Sequence, residues 1–359
     1  MINFPIAFHS ADFDYRRVSA GFAADTSNAR KILAIEIAGL GDIVHSLPAL
    51  WALRQGYPKA ELHCLVQEGN ASLLGMAPWI DRVIPYRRFS SVGYFHHLQI
   101  AREIRAQRYD VAVDLIGADC SSLIAGISGA TRKLIRRPGS SRPRSAWRWF
   151  GTDIMHVPFR TEPMYQQRLS CVRQAGFTTP AATFQLAEPQ KTIPVSVAWS
   201  EAVPYIHVSP YTKLSRKELP PSQMAQLVEG LMRSFPGHRL VLSCSAKQRE
   251  LAAMTRLLAD LPSSPWQVFA GTLDIPQLYS LIQSAALHIG GDTGTIHLAW
   301  LADTPTVSWF RKREGLVQWA PQGARHALVH SIEDEADYLY GVDNDTILTR
   351  AHAALSDSA

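Results

Sequence analysis

Cysteine is scarce. Cys64, Cys120, Cys171 and Cys244 are the only four in 359 residues, and no two form a CxxC pair. That scatter excludes a disulfide framework and a zinc knuckle and fits a reducing compartment. No apolar run reaches the roughly 18 residues that a membrane-spanning helix needs. The opening MINFPIAFHSADFDYRR carries acids and lacks the basic-then-apolar layout of a leader, so secretion is not expected. No GxSxG, HExxH, GxGxxG or GxxxxGKS/T pattern occurs. An α/β-hydrolase, a zinc protease, a standard dinucleotide site and a P-loop ATPase are therefore unsupported. His96 and His97 are adjacent and would point about 100° apart on a helix, which suits no shared metal. No metal site and no cofactor is read.

Acid is missing from one stretch. Between Thr131 and Trp149 stand Arg132, Lys133, Arg136, Arg137, Arg142, Arg144 and Arg148, with no Asp or Glu. The chain has 36 basic and 31 acidic residues, and without this stretch 29 and 31 remain. The charge is thus local, unlike that of a duplex-wrapping protein. Seven cations without a counter-ion imply an anionic partner: a phosphorylated glycolipid, an anionic membrane surface or a nucleic acid. A solvated charged face is the plain alternative. Trp147, Trp149 and Phe150 interleave with the cations, which permits base stacking.

What is present is ordinary for a globular chain. Apolar residues make up 47% and charged residues 19%, which excludes wholesale disorder and collagen-like or coiled-coil readings. At about 150 residues per domain the length suggests two domains. Residues 1–30 show no sustained period and read as an arm. Strands are expected at 31–40, 60–67, 82–85 and 109–117, with helices from 41 to just before Pro58 and over HHLQIAREIRAQR. Residues 186–204 read as a linker. The pattern then restarts, with strands at 205–210 and 238–245 and over WQVFAG, ALHIGG and TPTVSWF, each separated by a helix. Strands alternating with helices mean parallel α/β units. The expected domains are 31–185 and 205–335, followed by a C-terminal helix over 336–359.

Three loops could carry chemistry. AGLGDIVHS places Gly39, Gly41 and Asp42 where a strand hands over to a helix, with His45 one turn on. Asp42 either caps that helix or acts in catalysis. GGDTGTIHLAW sets Gly290, Gly291 and Gly294 around Asp292 and Thr293 at another helix start, an arrangement that suits a diphosphate or an ordinary cap. His297 follows and, taken alone, reads as a core histidine. SPYTKLSRKELPP offers Ser209, Thr212, Ser215, Lys213, Arg216 and Lys217, either as a phosphate site or as a solvated loop. The two halves echo each other: an apolar strand runs into Gly-Asp and then a histidine in both.

Taken together, these segments resemble glycosyltransferase family 9, the bacterial heptosyltransferases of lipopolysaccharide core assembly. The resemblance spans roughly 31–330 and rests on Leu-Gly-Asp-x-x-His at 40–45 and Gly-Asp-Thr-Gly-x-x-His-Leu at 291–298. It implies a GT-B fold: two Rossmann-like domains whose parallel sheets face a central cleft. It implies inverting, metal-independent transfer from ADP-L-glycero-D-manno-heptose to a lipid-anchored core glycan, with Asp42 as general base. Thr212, Lys213, Lys217, Gly291, Asp292, Thr293, Gly294 and His297 would hold the donor. Gly41, His45, Arg136, Arg137, Arg142 and Arg144 would meet the anionic acceptor. The implied location is cytoplasmic, compatible with peripheral contact at the inner membrane, and nucleic acid is not an implied partner.

Two departures stand out. The family's Asp-Leu-Gln-Gly is Asp114-Leu115-Ile116-Gly117 here, which removes an acceptor contact. Arg311, Lys312 and Arg313 replace a small Gly-Pro turn, which points to altered acceptor or phosphate recognition. The alternatives are a GT-B enzyme using another nucleotide sugar or acceptor, and a non-enzymatic nucleotide or nucleic-acid binding module.

Overall fold

A computed structural model describes residues 20–87, 94–137, 147–156, 162–179, 184, 186, 203–311, 316–331 and 337–356, with only the backbone at 94–96 and 147–148. The first half holds strands β1 (Lys31–Glu36), β2 (Glu61–Gln67), β3 (Arg82–Tyr86), β4 (Val111–Asp114), β5 (Arg132–Arg137) and β6 (Asp153–His156). Its helices are α1 (Phe22–Asp25), α2 (Leu40–Gly56), α3 (Ala71–Leu74), α4 (Tyr94–Ala106), α5 (Asp119–Ile127), α6 (Trp147–Phe150) and α7 (Met164–Gln174). The second half holds β7 (Tyr205–Ser209), β8 (Arg239–Cys244), β9 (Gln267–Ala270), β10 (Leu287–Gly291), β11 (Thr306–Phe310) and β12 (His326–His330). Its helices are α8 (Pro221–Ser234), α9 (Gln248–Asp260), α10 (Ile275–Gln283), α11 (Gly294–Leu301), α12 (Leu316–Trp319) and α13 (Asn344–Ser356).

Each half is one parallel six-stranded sheet, in the orders β3-β2-β1-β4-β5-β6 and β12-β11-β10-β7-β8-β9. Counted within its own half, each runs 3-2-1-4-5-6. This is the doubly wound order, in which all strands stay parallel and the order of winding reverses between the first and fourth strands. A crevice opens at that point, beyond the carboxyl ends of the strands, and ligands bind there. The central strands are apolar along their whole length because helices cover both faces. Ile32 to Ile35 of β1 and Val111 to Val113 of β4 are buried.

Helix α2 is apolar on every side, so all of its faces must be covered. Ile43, Val44, Leu47, Leu50 and Leu53 are buried between the first sheet, α7 and α11 of the other half. Leu298 and Ala299 of α11, together with Tyr279 and Ile282 of α10, join the first half's core. The two halves therefore share packed apolar surface rather than meeting only through a linker. The end of the expected arm also belongs to this core. Phe22 is 1% exposed against Phe177, and Thr26 Oγ1 lies 2.6 Å from the Tyr57 hydroxyl. Residues 187–202 of the expected linker lie outside the described residues. The C-terminal helix is α13, held on α8 with Ile347 and Ala351 buried.

The basic stretch differs from its reading. Residues 132–137 form strand β5, and its cations have partners. Arg132 pairs with Asp153 at 2.9 Å and Asp25 at 3.4 Å, and Lys133 Nζ donates to the Ala130 carbonyl at 2.7 Å. The counter-ions of Arg132 thus come from outside the stretch. No helix among the described residues is long and apolar enough to cross a membrane.

Candidate functional site

The crevices of the two sheets face each other across one cleft of about 860 Å³, a size that suits a nucleotide-sized ligand. Its first wall is the turn from β1 into α2, Gly39 to Asp42, with Gln67 and Asn70 beside it. Asn70 Nδ2 donates to the Ala38 carbonyl at 3.1 Å and fixes that turn. The second wall comes from the loops after β7, β8, β9 and β10.

Asp42 is the third residue of α2 and both caps the helix and faces the cleft. Its Oδ2 accepts from the Gly39 N–H at 3.1 Å. Its Oδ1 lies 3.4 Å from Arg168 Nη2, and the carboxylate stays part-exposed on the cleft wall. The cap and the expected base are thus the same side chain. Behind it lies a buried ionic group. Arg168 Nη2 is also 3.4 Å from Glu36 Oε2, and Ser46 Oγ donates to that oxygen at 2.5 Å. Arg168 and Glu36 are 2% and 1% exposed in their side chains. Burial raises the Glu36 carboxyl above its ordinary value, against the pull of Arg168. Asp114, also pushed up by burial, accepts from the N–H groups of Ile116 and Gly117 and from the hydroxyls of Ser121 and Ser122. It braces the loop after β4.

Lys217 and Asp292 form the opposite pole. Nζ to Oδ2 is 2.5 Å, which ties the loop after β7 to the turn after β10. Thr293 stands at the N-cap of α11 without a side-chain capping bond, so Gly294 and Thr295 bring the uncapped helix start and the positive end of its dipole to the cleft wall. The Lys217 loop is built around Glu218, with Arg249 and Trp309 reaching it from outside the segment. Glu218 accepts the Thr212 N–H at 2.6 Å and takes Arg249 on both oxygens at 2.8 and 3.0 Å, and Arg249 also reaches the Thr212 carbonyl. Trp309 Nε1 donates to the Lys217 carbonyl at 3.2 Å. These bonds leave Lys213 and Lys217 to the cleft.

The walls touch at two glycines. A Cβ at Gly41 would lie 2.4 Å from His297 Cδ2, and one at Gly294 would lie 2.8 Å from Leu40 Cδ2. Only glycine admits that approach. His45 Nε2 and His297 Nδ1 are 3.1 Å apart across the same seam.

A match to the model of glycosyltransferase family 9 (heptosyltransferase) spans residues 97–338. The chain belongs to this family. It is similar to lipopolysaccharide heptosyltransferase 3 of Escherichia coli (strain K12), 22% identical over 337 residues, or 89% of this chain and 96% of that one. Among solved structures, the glycosyl transferase family 9 protein of Veillonella parvula DSM 2008 has a TM-score of 0.77 at 17% identity, covering 91% of this chain and 98% of that one. The E. coli ADP-heptose lps heptosyltransferase II has a TM-score of 0.73 at 20% identity, covering 91% and 99%. The fold is GT-B, and the protein is a glycosyltransferase.

Within this family frame, most of the expected site residues converge. Gly41, Asp42, Lys213, Lys217, Asp292, Thr293, Gly294 and His297 all line the cleft. Others differ from expectation. His45 is 2% exposed and sits behind the wall among Tyr165, Trp300 and Trp319. Thr212 is 1% exposed, and its hydroxyl donates to the Leu214 carbonyl within its own loop. Gly291 is buried against Trp309 and the Lys217 carbonyl. Arg136 is buried, donating to the Ile116 carbonyl and to Gln167 at 3.2 Å each, so it braces the loop after β4 rather than facing an acceptor. Arg137 is half-buried at the end of β5. Arg142 and Arg144 lie outside the described residues, as do Lys312 and Arg313. Arg311 is buried and donates to the Arg216 carbonyl, which makes it a support of the Lys217 loop. Sequence reading missed Arg168, Glu36, Glu218 and Arg249. The ion pairs Glu36–Arg168 and Glu218–Arg249 span 132 and 31 positions, so spacing carries no signal for them. Among the described residues no group of three or more His, Cys, Asp or Glu is placed to hold a metal ion.

Proposed function

We propose that the protein moves a heptose from ADP-L-glycero-D-manno-heptose to an anionic lipopolysaccharide-core glycan, with inversion and without a metal. One observation carries this reading: a carboxylate from the first sheet's crevice faces a lysine and a helix N-terminus from the second across a single cleft. The acceptor hydroxyl attacks the anomeric carbon while Asp42 takes its proton. The bond from that carbon to the diphosphate breaks, and the electron pair leaves with ADP. Lys217 and the amides at the start of α11 stabilise the charge that develops there, the task a metal ion performs in other transferases. Single displacement from the face opposite the leaving group inverts the anomeric centre.

The donor assignment rests on the family and on the fit of a diphosphate to the α11 start. A thermal-shift panel of nucleotide sugars tests it. A ligand at 100 times its Kd stabilises by about 2.7 kcal/mol. ADP-heptose is expected to raise the melting temperature where UDP- and GDP-sugars do not. Equal or greater stabilisation by a UDP- or GDP-sugar overturns the donor.

A further inference from the structure

His45 is the sixth residue of α2 and His297 the fourth of α11, so each lies near the start of the helix that carries or follows its half's Gly-Asp step. Their rings meet edge to face, centroids 4.9 Å apart at 73°. Burial lowers both below the usual imidazole range, His45 the further, so both are neutral at pH 7. A neutral imidazole carries one proton, and the 3.1 Å contact from His45 Nε2 to His297 Nδ1 needs that proton on one of the two atoms.

Two arrangements are open. If His297 donates, the proton of His45 sits on Nδ1, which is buried with no hydrogen-bond partner. An orphaned buried N–H is among the rarest and costliest states of a polar group. If His45 donates, only an unprotonated nitrogen is left bare. The proton of His297 then sits on Nε2, the edge that rests against Gly41 beside Asp42 on the cleft wall. Among the charges that act on this ring, Asp292 and Asp42 favour a proton and Lys217 opposes it.

We infer that His45 is a positioning residue. By donating across the domain seam it locks His297 as the Nε2–H tautomer, which presents a fixed neutral hydrogen-bond donor to an oxygen of the donor's diphosphate. This rests on the nucleotide-sugar reading of the cleft. It gives the paired histidines of the two motifs one joint purpose, and it makes the donor contact depend on the two halves being docked. Trp300, stacked on His45 at 5.1 Å, and Trp319, edge-on at 5.5 Å, hold the His45 ring in plane.

The test uses the full chain labelled with 15N-histidine, in long-range proton–nitrogen spectra at pH 7. Signals among the 13 histidines are assigned by their loss in His45→Gln and His297→Gln. Both residues should be neutral and protonated at Nε2. A proton on Nδ1 of His297, or a charged ring, overturns the inference. The second arm is ADP affinity by calorimetry. His45→Gln keeps a donor near the Nε2 position, and His45→Leu fills the same apolar surroundings without one. ADP should bind His45→Leu about tenfold more weakly than wild type, the scale of one hydrogen bond, with His45→Gln close to wild type. Leu matching Gln, with both folded, overturns the positioning role. Wild type that shows the expected tautomers but does not bind ADP refutes the diphosphate contact and the nucleotide reading together. The tautomer lock is then left standing, so the two failures are distinguishable.

Discussion

Lys217 and Asp292 are joined at 2.5 Å across 75 residues of sequence, and the pair links two of the four loops that form the second wall of the cleft. Their side chains are 32% and 20% exposed. A part-exposed pair of this kind contributes little to stability, so its value lies in aiming the lysine.

Lys217→Ala is therefore expected to separate binding from folding. ADP binding should weaken by about 1.5–3 kcal/mol, as for a hydrogen bond to a charged group, with the melting temperature nearly unchanged. Calorimetry with ADP checks the first and a thermal melt the second. Unchanged ADP affinity would place Lys217 in solvent.

Arg168 is expected to matter for both stability and turnover. Arg168→Met removes the partner of buried Glu36 and should destabilise by about 3–5 kcal/mol, read from urea unfolding. Adding Glu36→Gln removes the stranded carboxyl and should recover most of that loss. Turnover should stay low in the double variant, because Asp42 still lacks the guanidinium that holds it. Full recovery of turnover would reduce Arg168 to a structural counter-ion of Glu36.

The strand–helix alternation, both Gly-Asp turns and the two-domain plan were legible in the sequence, because apolar runs and helix-start residues are local signals. The misses were residues whose role is settled by distant partners. RKLIRR reads as a charge run, yet it is β5, with Leu134 and Ile135 buried and Arg132 neutralised by Asp153 and Asp25. Helix α7 was not anticipated because its buried face carries Gln167 and Arg168 beside Leu169 and Val172, which breaks the apolar period. The echo between the halves was visible as spacing. That His45 and His297 touch could not be read, since contact depends on how the domains dock.

Acid stability should reflect buried histidines. Burial drives His207 down to about 3 and His288 well below its ordinary value. His207 Nδ1 meets His288 Nδ1 at 2.8 Å, and its Nε2 meets Ser243 at 2.9 Å. A lowered folded pKa means that the unfolded chain binds more protons below about pH 6.5. The stability is then complete above that pH and lost as pH falls, by up to about 1.4 kcal/mol per unit for each histidine. Glu36 and Asp114, both raised, act in the opposite sense, so the comparison is between variants. Urea midpoints from pH 7.5 to 5 should fall less steeply in His207→Asn than in wild type. Equal slopes would contradict this account of the pair.

The basic stretch yields a narrower expectation now that Arg132 and Arg136 are known to have internal partners. Replacing Arg142 and Arg144 together by Gln should raise the apparent KM for an anionic glycolipid acceptor, most clearly at low salt, with ADP affinity unmoved. Each cation near an anionic surface contributes on the order of 1 kcal/mol. Weaker ADP binding with unchanged acceptor kinetics would assign these arginines to the nucleotide.

The most direct measurement is transfer itself, followed in wild type and in Asp42→Asn. The asparagine keeps an acceptor for the Gly39 N–H and removes the base, while Arg168 retains Glu36. ADP-L-glycero-D-manno-heptose is mixed with a core glycolipid lacking its heptose, and ADP release, glycolipid mass and the anomeric configuration of the product are read together. The account predicts one ADP released per heptose transferred, with configuration opposite to that of the donor. It also predicts turnover lower by roughly 10²–10⁴ in Asp42→Asn, the usual contribution of a general base, at unchanged ADP affinity. Transfer by Asp42→Asn at the wild-type rate, or a product that retains the donor's configuration, would contradict it.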